Sequence, residues 1–254
     1  MFSEAVNKLI ANAGAKAAAS RDIPRYLTLS ALAGLYIGLA IFLIYSIGAP
    51  LSAADWPLTK LLMGASFSIG LSLVAFGGAE LFSGNILFIG AAALKREIAW
   101  RDALRVLLLS WAGNILGTLF LAFILLASGL FSGQTRDFII EASRVKAELP
   151  PLPLLTRGVM CNLCVCLALW TGVRLKEELA KLALIAMCVF AFIASGYEHC
   201  VANMFLLALS VIGGGGEVSP LGYFYNVALV SIGNIIGGML VAAPYVYVSA
   251  EKRR

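Results

Sequence analysis

The stretch SGYEHCVANMF, Ser195 to Phe205, sets Glu198 beside His199, the only histidine of the chain, inside a run from Leu182 to Gly216 that holds no other charged residue. An earlier stretch, GAELFSGN, Gly78 to Asn85, carries the same Gly-x-Glu-x-x-x-x-Asn pattern 118 positions before it. A second pair, Gly113-Asn114-Ile115-Leu116-Gly117 and Gly233-Asn234-Ile235-Ile236-Gly237, repeats at an offset of 120. Two matches at nearly one spacing predict a duplicated unit. The fold follows from what lies between the copies.

Hydrophobic residues make up 61% of the 254 and charged ones 13%, with a mean hydropathy of +0.91. Ordinary soluble domains carry roughly a quarter charged residues, so the composition predicts an integral membrane protein. Charge-free runs cover Tyr26 to Ala54, Val106 to Thr135, Gly158 to the residue before Arg174, and Val218 to Ala250. Leu61 to Leu94 is broken only by Glu80, and Leu182 to Gly216 only by Glu198. That gives six segments near or above the ~20 residues a helix needs to cross a bilayer. The Gly158 run is short; its apolar character extends back through Leu152, Leu154 and Leu155, with Arg157 snorkelling or facing protein.

Three spans then form each copy, and an odd number of crossings inverts one copy relative to the other. In such inverted repeats, substrate sites lie at the repeat interface near the midplane. Each Gly-x-Glu-x-x-x-x-Asn segment interrupts the second span of its unit. Buried Glu and Asn are accepted in a membrane where they line a cavity or find partners in protein. Two discontinuous helices are expected, roughly Leu61 to Gly78 then Asn85 to Leu94, and Leu182 to Gly196 then Ala202 to Ile212. Taken singly, each segment is also compatible with a glycine-rich packing face; their recurrence favours a transport pathway. The expected layout is one all-α membrane domain over 1–254, with an amphipathic helix at 1–25 and repeats at 26–135 and 150–250.

The N-terminal stretch lacks the compact apolar core of a signal peptide and carries Lys8, Lys16 and Arg21. It is expected to lie on the membrane surface. Fourteen lysines and arginines fall on the side of the termini, including Lys252, Arg253 and Arg254 of the tail. Lys60, Arg136, Arg144, Lys146 and Arg157 fall on the other. The positive-inside rule then puts both termini in the cytoplasm. The net charge of +5 is thereby explained without a nucleic-acid partner.

The segments GAELFSGN, CNLCVCLALW, SGYEHCVANMF and SIGNIIGG resemble the signatures of the formate/nitrite transporter family, and the similarity runs the length of the chain. The resemblance implies an aquaporin-like fold, a homopentamer with one pore per protomer, a bacterial inner-membrane location and small monovalent anions as cargo. It makes His199 the central pore histidine and Ser83 the hydroxyl residue where the family commonly has threonine. It places Asn162 and Asn203 near the histidine, Asn234 in the last helix and Lys146 in the outer vestibule. Leu71, Leu81, Phe82, Val165 and Phe192 fall where the family has apolar constrictions.

Nitrite, formate and hydrosulfide are conjugate bases of weak acids, and a histidine gives and recovers a proton near neutral pH. The expectation is that Lys146 gathers anions, His199 shares a proton with them, and Ser83 and Asn203 supply hydrogen bonds. Glu80 and Glu198 are read as structural, pointing away from the pore and tying the broken ends. A neutral-solute or water channel of the same architecture would carry twin Asn-Pro-Ala turns, absent here. An ammonium channel would need paired histidines. No nucleophile-base set supports an enzyme. Cys161-x-x-Cys164 reads as packing rather than metal or redox chemistry, and Gly213 to Glu217 as a flexible turn, so no metal or cofactor is called for. Nitrite is the preferred cargo.

Overall fold

The computed structural model describes residues 2–250, so Lys252, Arg253 and Arg254, counted above for orientation, lie outside the described residues. Eleven helices follow one another among them: α1 (Phe2–Ala19), α2 (Ile23–Ala53), α3 (Thr59–Ser66), α4 (Ser68–Gly77), α5 (Phe82–Leu94), α6 (Trp100–Ala127), α7 (Gly133–Ala147), α8 (Pro151–Arg174), α9 (Glu178–Ala194), α10 (Cys200–Gly213) and α11 (Pro220–Ser249). Five units are long and apolar enough to cross a membrane: α2, α3 with α4, α6, α8 and α11. Helices α5, α9 and α10, at 13, 17 and 14 residues, are shorter.

The long helices start where capping chemistry allows. Asp22 accepts from the Arg25 N–H ahead of α2, and Ser219 accepts from the Gly222 N–H ahead of α11. Proline opens α8 and α11 at a position whose N–H has no helical partner anyway. Once formed, the helices pair through glycine: α2 against α6 and α8 against α11. A Cβ on Gly117 would collide with the Ala31 carbonyl oxygen, and one on Gly237 with that of Val159. The Gly-x-x-x-Gly spacing in α6 and α11 thus sets a backbone-to-backbone approach in both halves of the chain.

Both breaks turn on a glycine. Gly78 ends α4 and Gly196 follows α9, each with φ of +72°, a left-handed conformation that a side chain disfavours. The helices beyond restart earlier than the sequence suggests, at Phe82 rather than Asn85 and at Cys200 rather than Ala202. The reason is tertiary. The Asn114 Oδ1 accepts the Phe82 N–H at 2.9 Å and the Asn234 Oδ1 accepts the Cys200 N–H at 3.0 Å, so residues from distant helices cap the first turn.

Helix α1 lays its apolar face on the bundle. Val6, Leu9 and Ala13, spaced along one face, are fully covered by protein, including Leu87, Ala91, Trp170 and Val241 of the bundle. A narrow apolar stripe of an amphipathic helix is thus covered by the bundle. Helix α7, in the stretch left between the two expected repeats, packs on α2, α10 and α11.

Candidate functional site

The broken segments are held by three matching sets of hydrogen bonds. The Glu80 N–H donates to the Leu29 carbonyl at 3.1 Å, and the Glu198 N–H to the Arg157 carbonyl at 3.2 Å. The Asn114 amide donates to the Ser30 and Glu80 carbonyls at 2.7 and 3.0 Å. The Asn234 amide donates to the Gly158 and Glu198 carbonyls at 2.8 and 3.1 Å. Unwound backbone in an apolar interior must find such partners. Here one asparagine from a long helix serves each break.

Next to each break a carboxylate meets a lysine from a flanking helix. Lys16 of α1 donates to both Glu80 oxygens at 2.8 Å, and Tyr26 adds a hydroxyl bond at 2.9 Å. The Asn85 amide donates to the Tyr26 oxygen at 3.1 Å. Lys146 of α7 donates to both Glu198 oxygens at 2.7 Å, and the Asn203 amide adds a third bond at 2.6 Å. The second Asn203 hydrogen goes to Asn226 at 2.8 Å, whose own amide holds the Lys146 carbonyl at 2.9 Å. The Glu198 side chain is 3% exposed and that of Lys146 19%. A charge so buried persists because its partner is there.

Between the breaks, Ser83 Oγ lies 2.7 Å from His199 Nε2. His199 is the N-cap of α10, and its Nδ1 accepts the Ala202 N–H at 3.2 Å. That use of the Nδ1 lone pair puts the proton of the neutral ring on Nε2, which then donates to Ser83 and leaves the serine hydrogen to offer elsewhere. Asn162 donates to the Ser83 carbonyl at 3.1 Å and the Asn234 carbonyl at 2.7 Å. Its Oδ1 is buried without a partner among the described residues.

Two cavities approach this contact. One, of about 340 Å³, is lined by Lys16, Leu71, Glu80, Leu81, Gly84 and Asn85 of the first break and its neighbours. The other, of about 820 Å³, is lined by Tyr45, Lys146, Phe192, Glu198, His199 and Asn203, among others. Phe192 packs edge-on to Phe67 at 5.6 Å and lies 6.0 Å from the His199 ring, centroid to centroid. Leu71, Leu81, Phe82, Val165 and Phe192 are all buried in one apolar cluster. Phe82 and Val165 line neither cavity.

Every residue singled out from the sequence thus falls at the breaks or one helix away, and the partners of Glu80, Glu198, Lys146 and Asn203 are now visible. Of the backbone or side-chain bonds expected of Glu80 and Glu198, the backbone ties are made by Asn114 and Asn234. The carboxylates instead bind side chains, and Glu198 faces the larger cavity rather than away from it. Lys146 presents no free charge there, and both Asn203 amide hydrogens are engaged within the protein. Lys16, Tyr26, Asn114 and Asn226 were missed as site residues. Asn114 was visible in the repeated Gly-Asn-x-x-Gly; Tyr26 and Asn226 carry no signal in a linear pattern. Among the described residues no group of three or more His, Cys, Asp or Glu could hold a metal ion.

Comparison with known proteins accounts for the arrangement. The family model described as formate/nitrite transporter matches residues 3–248. The chain is 36% identical over 258 residues to the nitrite transporter NirC of Escherichia coli (strain K12), covering 100% of this chain and 95% of that one. It is 32% identical over 230 residues to the formate channel FocA of Haemophilus influenzae, covering 82% and 80%. A solved structure described as an FNT family ion channel superposes with a TM-score of 0.90 at 35% identity, over 96% of this chain and 98% of that one. A pentameric formate channel with formate bound gives 0.79 at 27%, over 91% and 98%. These relatives are transporters and channels, not enzymes. With its five long apolar helices and a family match over nearly its whole length, this multi-pass membrane chain belongs to the formate/nitrite transporter family.

Proposed function

We propose that the chain conducts small monovalent anions of weak acids, with nitrite as the preferred cargo and formate and hydrosulfide as its neighbours in chemistry. The observation that carries this is the Ser83–His199 contact, with His199 on the wall of the larger cavity and Ser83 next in sequence to Gly84 of the smaller one. Ser83 is the second residue of α5 and His199 caps α10, so two helix N-termini converge there. Helix N-termini carry partial positive charge and favour anions. That arrangement speaks for an anion over the runner-up, a neutral solute or water.

An anion stripped of water in an apolar constriction is costly unless paired or neutralised. The Ser83 hydroxyl, its oxygen already accepting from His199 Nε2, hydrogen-bonds the anion; where the proton moves, the serine hydrogen goes to the anion, the Nε2 hydrogen to the serine oxygen, and a proton from the water of the larger cavity restores the ring. The nearly neutral species then passes the apolar residues, Leu71 and Leu81 on one side and Phe192 on the other. In this reading residues 26–135 and 150–250 form an inverted three-plus-three repeat of aquaporin-like architecture. The parallel partners of Asn114 and Asn234, and of Gly78 and Gly196, support it. We further assign a homopentamer in the inner membrane with cytoplasmic termini, which agrees with the pentameric relative and the basic residues flanking the spans.

Flux of nitrite, formate and hydrosulfide into proteoliposomes is the direct test. Exclusion of nitrite while the others pass would sink the preferred cargo. His199→Ala should flatten the dependence of flux on pH, and an unchanged profile would remove the proton-sharing role.

A further inference from the structure

The larger cavity holds six charged residues on its wall: Asp55, Lys60, Glu141, Lys146, Arg157 and Glu198. Lys146 is matched to Glu198 at 2.7 Å, and Glu141 is bridged by Arg144 at 2.8 Å. Lys60 and Arg157 have no ion pair and no side-chain hydrogen bond among the described residues. In the smaller cavity both wall lysines are paired, Lys16 with Glu80 and Lys181 with Glu178. Of the two cavities, only the larger thus carries unpaired cations on its wall among the described residues. The Arg157 main chain also stands at the second break, where its carbonyl receives the Glu198 N–H at 3.2 Å, and the residue lines the larger cavity.

We propose that Arg157 binds bent two-oxygen anions in the mouth of the larger cavity and so selects nitrite and formate over hydrosulfide before they reach His199, with Lys60 adding charge without shape. This rests on the anion-conducting reading above. A guanidinium offers parallel N–H donors in a planar fork that matches two oxygens held on one central atom. Nitrite and formate have that shape. Hydrosulfide, with one heavy atom, accepts from a single donor and gains only the charge. Lysine is a point charge on a flexible stem and makes no such distinction. Capture at the mouth therefore depends on the fork at Arg157 and on net charge at Lys60.

The test uses the full chain in proteoliposomes, with initial rates of nitrite, formate and hydrosulfide uptake measured against concentration at one pH and ionic strength. Arg157→Lys should raise the half-saturating concentrations of nitrite and formate about three- to tenfold, the scale of one lost charge-assisted bond at a solvated site, and leave hydrosulfide nearly unchanged. Lys60→Gln should raise all three alike. Equal effects of Arg157→Lys on the three anions, or no effect, would overturn the proposal. A titration of the detergent-solubilised protein with 13C-formate, read by NMR line broadening, separates this from the transport reading. If the wild type conducts none of the three anions, that reading fails. Broadening that is lost in Arg157→Lys would then still uphold the mouth site, and broadening that is unchanged would overturn it.

Discussion

Replacing Asn114 by alanine tests the claim that one amide holds the first break. The substitution removes three hydrogen bonds, two buried at 2.7 and 2.9 Å and one part-buried at 3.0 Å. The Ser30 carbonyl lies within α2, where a helical donor remains to it. The Glu80 carbonyl and the Phe82 N–H, at an unwound segment and a helix start, are left without partners. An orphaned buried polar group costs about 1–3 kcal/mol, so two give about 2–6 kcal/mol. Hydrogen bonds measured inside membrane proteins average about 0.6 kcal/mol, which places the expected loss toward the lower end, about 2–3 kcal/mol. For a chain of this size that corresponds to a fall in apparent melting temperature of about 4–12 °C. Thermal unfolding of the detergent-solubilised protein at a fixed scan rate measures it, since membrane proteins commonly unfold irreversibly. Asn234→Ala, with its own three bonds, should fall by a similar amount. Asn114→Asp keeps the acceptor for Phe82 and loses both donated bonds, so it should not reach wild-type stability. A melting temperature for Asn114→Ala within a degree of wild type would refute the assignment of the amide as the tie.

Gly196→Ala forces a side chain into a left-handed conformation at φ +72°, at a cost of about 1–2 kcal/mol, and the same thermal scan should register it. Lys146→Met leaves the Glu198 carboxylate buried and should destabilise by about 3–5 kcal/mol, whereas the double variant with Glu198→Gln should recover part of that loss; strictly additive effects in the cycle would show the pair to be uncoupled. Gly117→Ala should disrupt α2–α6 packing, because the obstructing atom is the Ala31 carbonyl oxygen and not a mobile side chain, and monodisperse protein of wild-type melting temperature would contradict this. Ser83→Ala should slow anion flux into proteoliposomes while Ser83→Thr, retaining a hydroxyl, should slow it less; equal rates for the two would separate the hydroxyl from conduction.

Much of the site was legible because membrane burial makes polar residues conspicuous. Glu80, Asn85, Glu198, His199 and Asn203 stand out in apolar runs, since each must find a partner there. Their pairing was not legible. Glu198 was read as pointing away from the pore, but Lys146 and Asn203, from outside its own segment and from the next helix, hold its carboxylate on the wall of the larger cavity. Lys146 and Lys16 were counted as charges for orientation, with no linear signal that each reaches a carboxylate 52 or 64 residues away.

By itself the sequence determined the solvent the protein lives in, the positions of the apolar spans and the places where two of them stop. Hydropathy and the recurrence of Gly-x-Glu-x-x-x-x-Asn are local properties, readable from residue order. The tertiary structure alone decided where the helices restart, which lysine answers which glutamate and which cations stay free. Those outcomes depend on donors and acceptors brought within about 3 Å by helix packing, and packing joins residues that no spacing along the chain connects.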